Sequence, residues 1–218
     1  TKQEVVGNFY KTSILNYRGY VTGEKKIKEN LYTEQIAKSI LDNNLLLVWK
    51  CLVPVRPNHF VPEHSKECEC IISTNRKEEI LAKLLYRQGD VGGLGKILDY
   101  QTPLKEARND SYGKIDLLGY NTDDECYSVI ELKYRPSGSD ETLLRCVLEA
   151  YTYYKLLDIN QIKSAVGHDG IQKLKELSGY KHTNESELVV LFDEKSCAKD
   201  DGGAENNLML RIVSNEPD

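Results

Sequence analysis

Gly113-Lys114-Ile115-Asp116-Leu117-Leu118-Gly119-Tyr120, then Asn121 to Glu125, then Cys126-Tyr127-Ser128-Val129-Ile130-Glu131-Leu132-Lys133 carries the pattern on which the architecture turns. The flanks read as strands and the polar segment between them as a turn, which predicts an antiparallel hairpin. With the turn centred on Asp123-Asp124, Asp116 faces Glu131 directly across the pair. Lys133 lies two residues further on the same face. Ile115, Leu117, Ile130 and Leu132 then point the other way, into a core. Opposed carboxylates destabilise a sheet unless something neutralises them. A hard divalent cation does this best, because Mg²⁺ favours oxygen ligands and keeps several waters. One such water, deprotonated near Lys133, would be a nucleophile against phosphorus. Charged residues on a strand face usually form only a solvated surface, so the weight rests on what surrounds these three.

Upstream, Arg76 to Arg87 has a helical repeat with Ile80, Leu81, Leu84 and Leu85 as its apolar face. Gly89, Gly92, Gly93 and Gly95 break the chain, and Lys96 to Leu104 follows as a strand. Downstream, Ser137 to Leu157 predicts a long helix, with Ser137 and Asp140 at capping-box spacing. A short helix over Asp169–Leu177, a strand over Leu188–Phe192 and a last apolar stretch over Leu208–Val213 complete this part. Residues 1–75 read differently. A helix from Thr33 to Leu41, capped by Thr33, carries Ile36, Ala37, Ile40 and Leu41 as its stripe. Strands are expected over Leu45–Val55 and Glu67–Ser73, making residues 1–75 an N-terminal elaboration with its own small sheet. Residues 76–218 form the second unit.

The order of acidic helix, strand, Gly-x-Ile-Asp strand, Glu-x-Lys strand and long helix resembles the PD-(D/E)XK nuclease superfamily over roughly residues 76–193. The resemblance implies an α/β fold of the restriction-endonuclease-like kind, a central mixed β-sheet flanked by helices. It implies that Asp116 and Glu131 bind metal and that Lys133 assists the attacking water. The cofactor is then Mg²⁺, with Mn²⁺ as substitute, and the backbone carbonyl of Leu132 adds a ligand. A glutamate of the first helix often completes such a site, here Glu79 with Glu78 next. The family's Gln-x-x-x-Tyr is matched by Glu149-Ala150-Tyr151-Thr152-Tyr153, with Glu where Gln is usual. That departure leaves Glu149 as a metal-shell or a substrate group, with Tyr153 beside it. Ile115 stands where the Pro would precede the Asp. Arg135 and Lys114, and after them Lys155 and Arg87, are candidate phosphate contacts.

The function this implies is metal-dependent hydrolysis of phosphodiester bonds in DNA, with RNA as second substrate, by an endo- or exonuclease. The alternative is a catalytically inactive nuclease-fold module that binds nucleic acid or protein. Its N-terminal region would dock a protein partner or a second copy of the chain in a homodimer.

Other features are read more simply. Gly92-Gly93-Leu94-Gly95-Lys96 lacks the first Gly and the Ser or Thr of a phosphate loop and is read as a turn. His59, His64, Cys68 and Cys70 have zinc-capable side chains, but Cys-x-Cys spacing is atypical and two core-facing strand cysteines explain it. Of Tyr151, Tyr153 and Tyr154, helix packing explains at least two.

The 218 residues suffice for a self-supporting core, and 40% apolar against 29% charged residues is globular composition. No window approaches the ~20 apolar residues of a spanning helix, so no membrane is expected. No basic-then-apolar leader opens the chain, and cytoplasmic placement is expected. The only Met is Met209, which predicts removal of the initiator or a longer parent chain. Six scattered cysteines then read as reduced thiols. The net charge of −5 argues against a broad basic coat, but leaves room for a local groove or a carboxylate site with bound cations.

Overall fold

The computed structural model describes residues 8–22, 28–47, 76–104, 113–134, 141–165, 176–182 and 185–192. Two 3-10 turns, Phe9–Lys11 and Ser13–Asn16, lead into β1 (Tyr20–Thr22), β2 (Lys28–Leu31) and α1 (Tyr32–Asp42). Then come α2 (Lys77–Gln88), β3 (Asp90–Val91), β4 (Gly95–Pro103), β5 (Lys114–Asn121) and β6 (Cys126–Lys133). The order closes with α3 (Leu143–Leu156), α4 (Ile159–Ala165) and β7 (Ser186–Phe192). β1 and β2 pair with each other, while β3 to β7 form one five-stranded sheet in that order. Neighbours from β3 to β6 run antiparallel, and β7 joins β6 in parallel. The chain is therefore α/β, with a mixed central sheet flanked by helices.

The sheet is covered on both faces, which is why β6 is buried along all but its last residue. On one face, Ala82 and Tyr86 of α2 pack against Ile97, Tyr100, Leu117, Ile130 and Leu132. On the other, Leu144, Val147, Leu148 and Tyr151 of α3 pack against Val129, Leu188 and Val190. Tyr10, Leu15, Ala37 and Ile40 belong to that second cluster. The N-terminal segment thus shares its core with α3. Gly95 makes the tight entry to β4: its φ is 74° and a Cβ there would lie 2.3 Å from the Tyr120 carbonyl oxygen.

Several expectations are corrected. The buried face of α2 is Ala82 and Tyr86, flanked by Leu81 and Leu85, while Leu84 is exposed. The whole stripe is rotated, because Tyr86 finds a ring partner in Tyr100 at 5.3 Å between centroids. α3 begins at Leu143, with Thr142 as its cap accepting the Arg145 N–H, instead of at Ser137. Thr33 lies inside α1 and Leu31 occupies the cap position. Residues 45–47 are helical, not strand, and Leu45 and Leu47 are exposed. β3 turns the glycine segment into a hairpin, and α4 is an element the sequence reading did not anticipate. Glu176 and Leu177 lie in a turn. The rest of the Asp169–Leu177 helix, the Glu67–Ser73 and Leu208–Val213 strands, and the His59, His64, Cys68 and Cys70 set lie outside the described residues, as does most of Leu45–Val55.

Candidate active site

The hairpin register forms as the turn dictates. β5 and β6 pair from Asn121↔Cys126 to Leu117↔Ile130, so the next opposed position is Asp116 and Glu131. There the strands stop exchanging backbone hydrogen bonds, and the Asp116 side chain takes over the ladder. Its Oδ2 accepts the Leu132 N–H at 2.9 Å, and its Oδ1 accepts Nε2 of Gln101 at 2.7 Å. In extended backbone the N–H and C=O of one residue point to the same side. The Leu132 carbonyl accordingly lies on the Asp116 side of β6.

Glu131 is buried, only 3% exposed. Its Oε1 lies 2.6 Å from Lys133 Nζ, whereas its Oε2 is buried with no hydrogen-bond partner. Lys133 is held by two further carboxylates, Glu141 Oε2 at 2.9 Å and Glu149 Oε2 at 3.4 Å. Glu149 Oε1 accepts the Tyr153 hydroxyl at 2.7 Å, and Glu141 also pairs with Arg145 at 2.9 Å. The spacing of 141, 145, 149 and 153 brings these groups to one side at the start of and along α3.

Burial and charge set the protonation of this cluster. Burial first, then neighbouring Glu149 and Glu78, push the Asp116 carboxyl up to about 6 against the pull of Lys133 and the Leu132 N–H. Glu131 is raised well above the ordinary carboxylate range by burial and by Asp116. Burial works to lower the Lys133 ammonium, but Glu131, Glu149, Cys146 and Glu141 outweigh it and hold it above its ordinary value. Burial thus pushes two carboxyl groups up beside one ammonium that its carboxylate neighbours hold above its ordinary value.

The structure brings together Asp116, Glu131, Lys133 and Glu149, as the hairpin arithmetic and the helix spacing require. It does not bring Glu79. That side chain pairs with Lys83 at 3.0 Å and Arg76 at 3.4 Å. The carboxylate of α2 that reaches this end of the sheet is Glu78, whose Oε1 accepts the Tyr134 N–H at 2.9 Å. Glu78 and Glu79 both flank the face that carries Ala82 and Tyr86, so helical spacing does not choose between them and only their partners do. Tyr153, expected at the substrate, is buried and bonded to Glu149 and Tyr10. Lys114 is exposed at the start of β5. Arg135 lies outside the described residues. Lys155 sits over the Tyr151 and Tyr154 rings, at 5.1 and 4.5 Å. Arg87 lies at the opposite end of α2 from Glu78, about 13 Å along the axis.

Gln101 and Glu141 were missed. Glu141 is legible only as an acid near a helix start. Gln101 has no sequence signal: the β4–β5 register slips between Ile97 and Asp99, and Gln101 then adopts φ 49°. That left-handed conformation costs a side-chain-bearing residue about 1–2 kcal/mol, and bulges of this sort re-aim side chains beside active sites.

Among the described residues, no group of three His, Cys, Asp or Glu side chains is gathered around one cation position. The donor set nevertheless fits a hard cation. Asp116, Glu131 and the Leu132 carbonyl are oxygen donors on one patch, and Glu131 Oε2 is an orphaned buried acceptor. No protein-family model, curated protein or solved structure matches the chain. Among the described residues no helix is long and apolar enough to cross a membrane, and Cys126 and Cys146 are free thiols.

Proposed function

We propose that the chain is a Mg²⁺- or Mn²⁺-dependent nuclease that hydrolyses phosphodiester bonds, with DNA as the first substrate and RNA as the second. The observation that carries this reading is Glu131 Oε2, a buried carboxylate oxygen without a donor on the patch that holds Asp116 and Lys133. Leaving such a group unsatisfied costs about 1–3 kcal/mol or more. A sheet that needed only stability gains nothing from it. The succession α2, β3 to β6, α3, α4 and β7, a helix, four antiparallel strands, two helices and a parallel strand, supports the same reading.

Asp116, Glu131 and the Leu132 carbonyl are the residues that would hold the cation, with Glu78 replacing Glu79 as the contribution of the first helix. When bound, such a cation supplies Lewis-acid charge and a more acidic water. The chain's own residues do the rest. Gln101 and the Leu132 N–H fix both oxygens of Asp116 before any ligand arrives. Lys133, held by Glu131, Glu141 and Glu149, is placed to orient water and to stabilise negative charge developing on the phosphate. Lys114, exposed two residues before Asp116, is a phosphate contact in this reading.

The test is cleavage of single-stranded, double-stranded and branched DNA and of RNA by the full chain, with Mg²⁺ and with Mn²⁺. Metal-dependent cleavage is expected, reduced about 10²- to 10⁴-fold in Lys133→Ala. If the wild type cuts none of these substrates, or Lys133→Ala cuts at the wild-type rate, the chain is better read as an inactive nuclease-fold binding module.

A further inference from the structure

The N-terminal segment is tied to α3 at both ends. At the start of α3, the Thr142 N–H donates to Asn16 Oδ1 at 2.7 Å, the Thr142 hydroxyl donates to the Leu15 carbonyl, and Arg18 donates to the Glu141 carbonyl at 3.0 Å. Further along α3, the Tyr10 hydroxyl lies 3.1 Å from the Tyr153 hydroxyl, with the rings edge to face at 5.7 Å between centroids. A phenol has one proton to donate. Tyr153 gives its proton to Glu149 Oε1, so at this contact Tyr10 is the donor and Tyr153 the acceptor. The result is a one-way chain of donors from Tyr10 through Tyr153 to Glu149, whose other oxygen faces Lys133. Gly113 is part of its fit, because a Cβ there would come within 2.1 Å of the Tyr153 hydroxyl.

We propose that Tyr10 is a positioning residue for Lys133, acting through Tyr153 and Glu149, so that the N-terminal elaboration is a working part of the site. This rests on the nuclease reading for its catalytic consequence, though not for its geometry. Tyr10 is buried among apolar groups of the α3 cluster, where a hydroxyl without a partner is costly. Its bond to Tyr153 satisfies that hydroxyl, polarises the next O–H in the chain and restricts Glu149 to one rotamer. Burial pushes the Tyr10 hydroxyl up to about 12, so it remains a donor across any working pH. A fixed Glu149 leaves Lys133 a single resting place, shared with Glu131 and Glu141.

The experiment compares wild type, Tyr10→Phe, Tyr153→Phe and the double variant in the full chain, by cleavage kinetics and by hydrogen exchange at Lys133 ¹⁵Nζ. Tyr10→Phe keeps the ring and its edge contact and removes only the donor. It should lower kcat about 3- to 10-fold, the weight of one hydrogen bond, with KM unchanged, and speed Lys133 exchange by a similar factor. Because Tyr10 acts only through Tyr153, the double variant should match Tyr153→Phe in both readouts. An unchanged kcat in an active Tyr10→Phe, or losses that multiply in the double variant, overturns the proposal. If the wild type cuts no nucleic acid, the nuclease reading fails by itself, and Lys133 exchange decides this inference: faster in Tyr10→Phe supports it, unchanged overturns it. If Tyr10→Phe does not fold, Tyr153→Phe takes its place, and unchanged Lys133 exchange there also overturns the chain.

Discussion

The Oδ2 atom of Asp116 accepts the backbone N–H of Leu132 at 2.9 Å, so a side chain continues the β5–β6 ladder where backbone pairing ends. This one bond holds the Asp116 carboxylate against the strand that carries Glu131 and Lys133. It also makes the acid part of the sheet's own hydrogen bonding, which couples the chemistry of the site to the stability of the fold.

That coupling has a definite sign. Asp116 is raised from 3.8 to about 6, so between these values the folded chain keeps a proton that the unfolded chain has released. Stability from this group is full below pH 3.8 and is lost as pH rises through about 6. Asp116→Asn keeps both hydrogen bonds, with the Asn oxygen facing Leu132 and a flipped Gln101 amide accepting from Nδ2. In EDTA at pH 8 it should be more stable than wild type by about 1–3 kcal/mol, with no gain at pH 4. Urea unfolding at the two pH values checks this, and a variant less stable at pH 8 would contradict the assignment.

Divalent cations should restore what the metal-free site loses. At about ten times its Kd, Mg²⁺ or Mn²⁺ is expected to stabilise the wild type by about 1.4 kcal/mol and to leave Asp116→Asn nearly unaffected. Thermal unfolding across a cation titration measures this without any substrate. Equal shifts in the two proteins would remove Asp116 from the ligand set.

Glu78 and Glu79 are separable by function. Glu79→Gln loses partly exposed ion pairs to Lys83 and Arg76, worth about 0–1 kcal/mol, and cleavage should stay within about twofold. Glu78→Gln weakens a charge-bearing acceptor of the Tyr134 N–H and alters the field at Asp116, and cleavage should fall about tenfold or more. Parallel kinetics on the two variants decide it, and the reverse order would reinstate Glu79.

Gln101 is expected to control how Asp116 titrates. In Gln101→Leu the Oδ1 atom loses its donor and gains an apolar neighbour, both of which favour the protonated carboxyl. Carboxyl ¹³C NMR of the metal-free protein should then place Asp116 above about 6, and cleavage at pH 7 should drop about tenfold. An unchanged Asp116 titration would show that the hydrogen bond does not matter.

The hairpin, its register and the shared face of Asp116, Glu131 and Lys133 are legible in the residues alone, because strand alternation and a short polar turn leave no other pairing that buries Leu117, Ile130 and Leu132. So is the placing of Glu149 and Tyr153 one turn apart on a helix, since helical periodicity is local. Which acid of α2 reaches the site was settled by its neighbours in space: Glu78 meets the Tyr134 N–H, while Glu79 is taken by Lys83 and Arg76. Only tertiary structure aimed Gln101 at Asp116, through a bulge and a left-handed residue that carry no sequence mark. And only packing could join Tyr10 to Tyr153, 143 residues away. Contacts between distant segments are set by how whole faces fit together, which no local pattern contains.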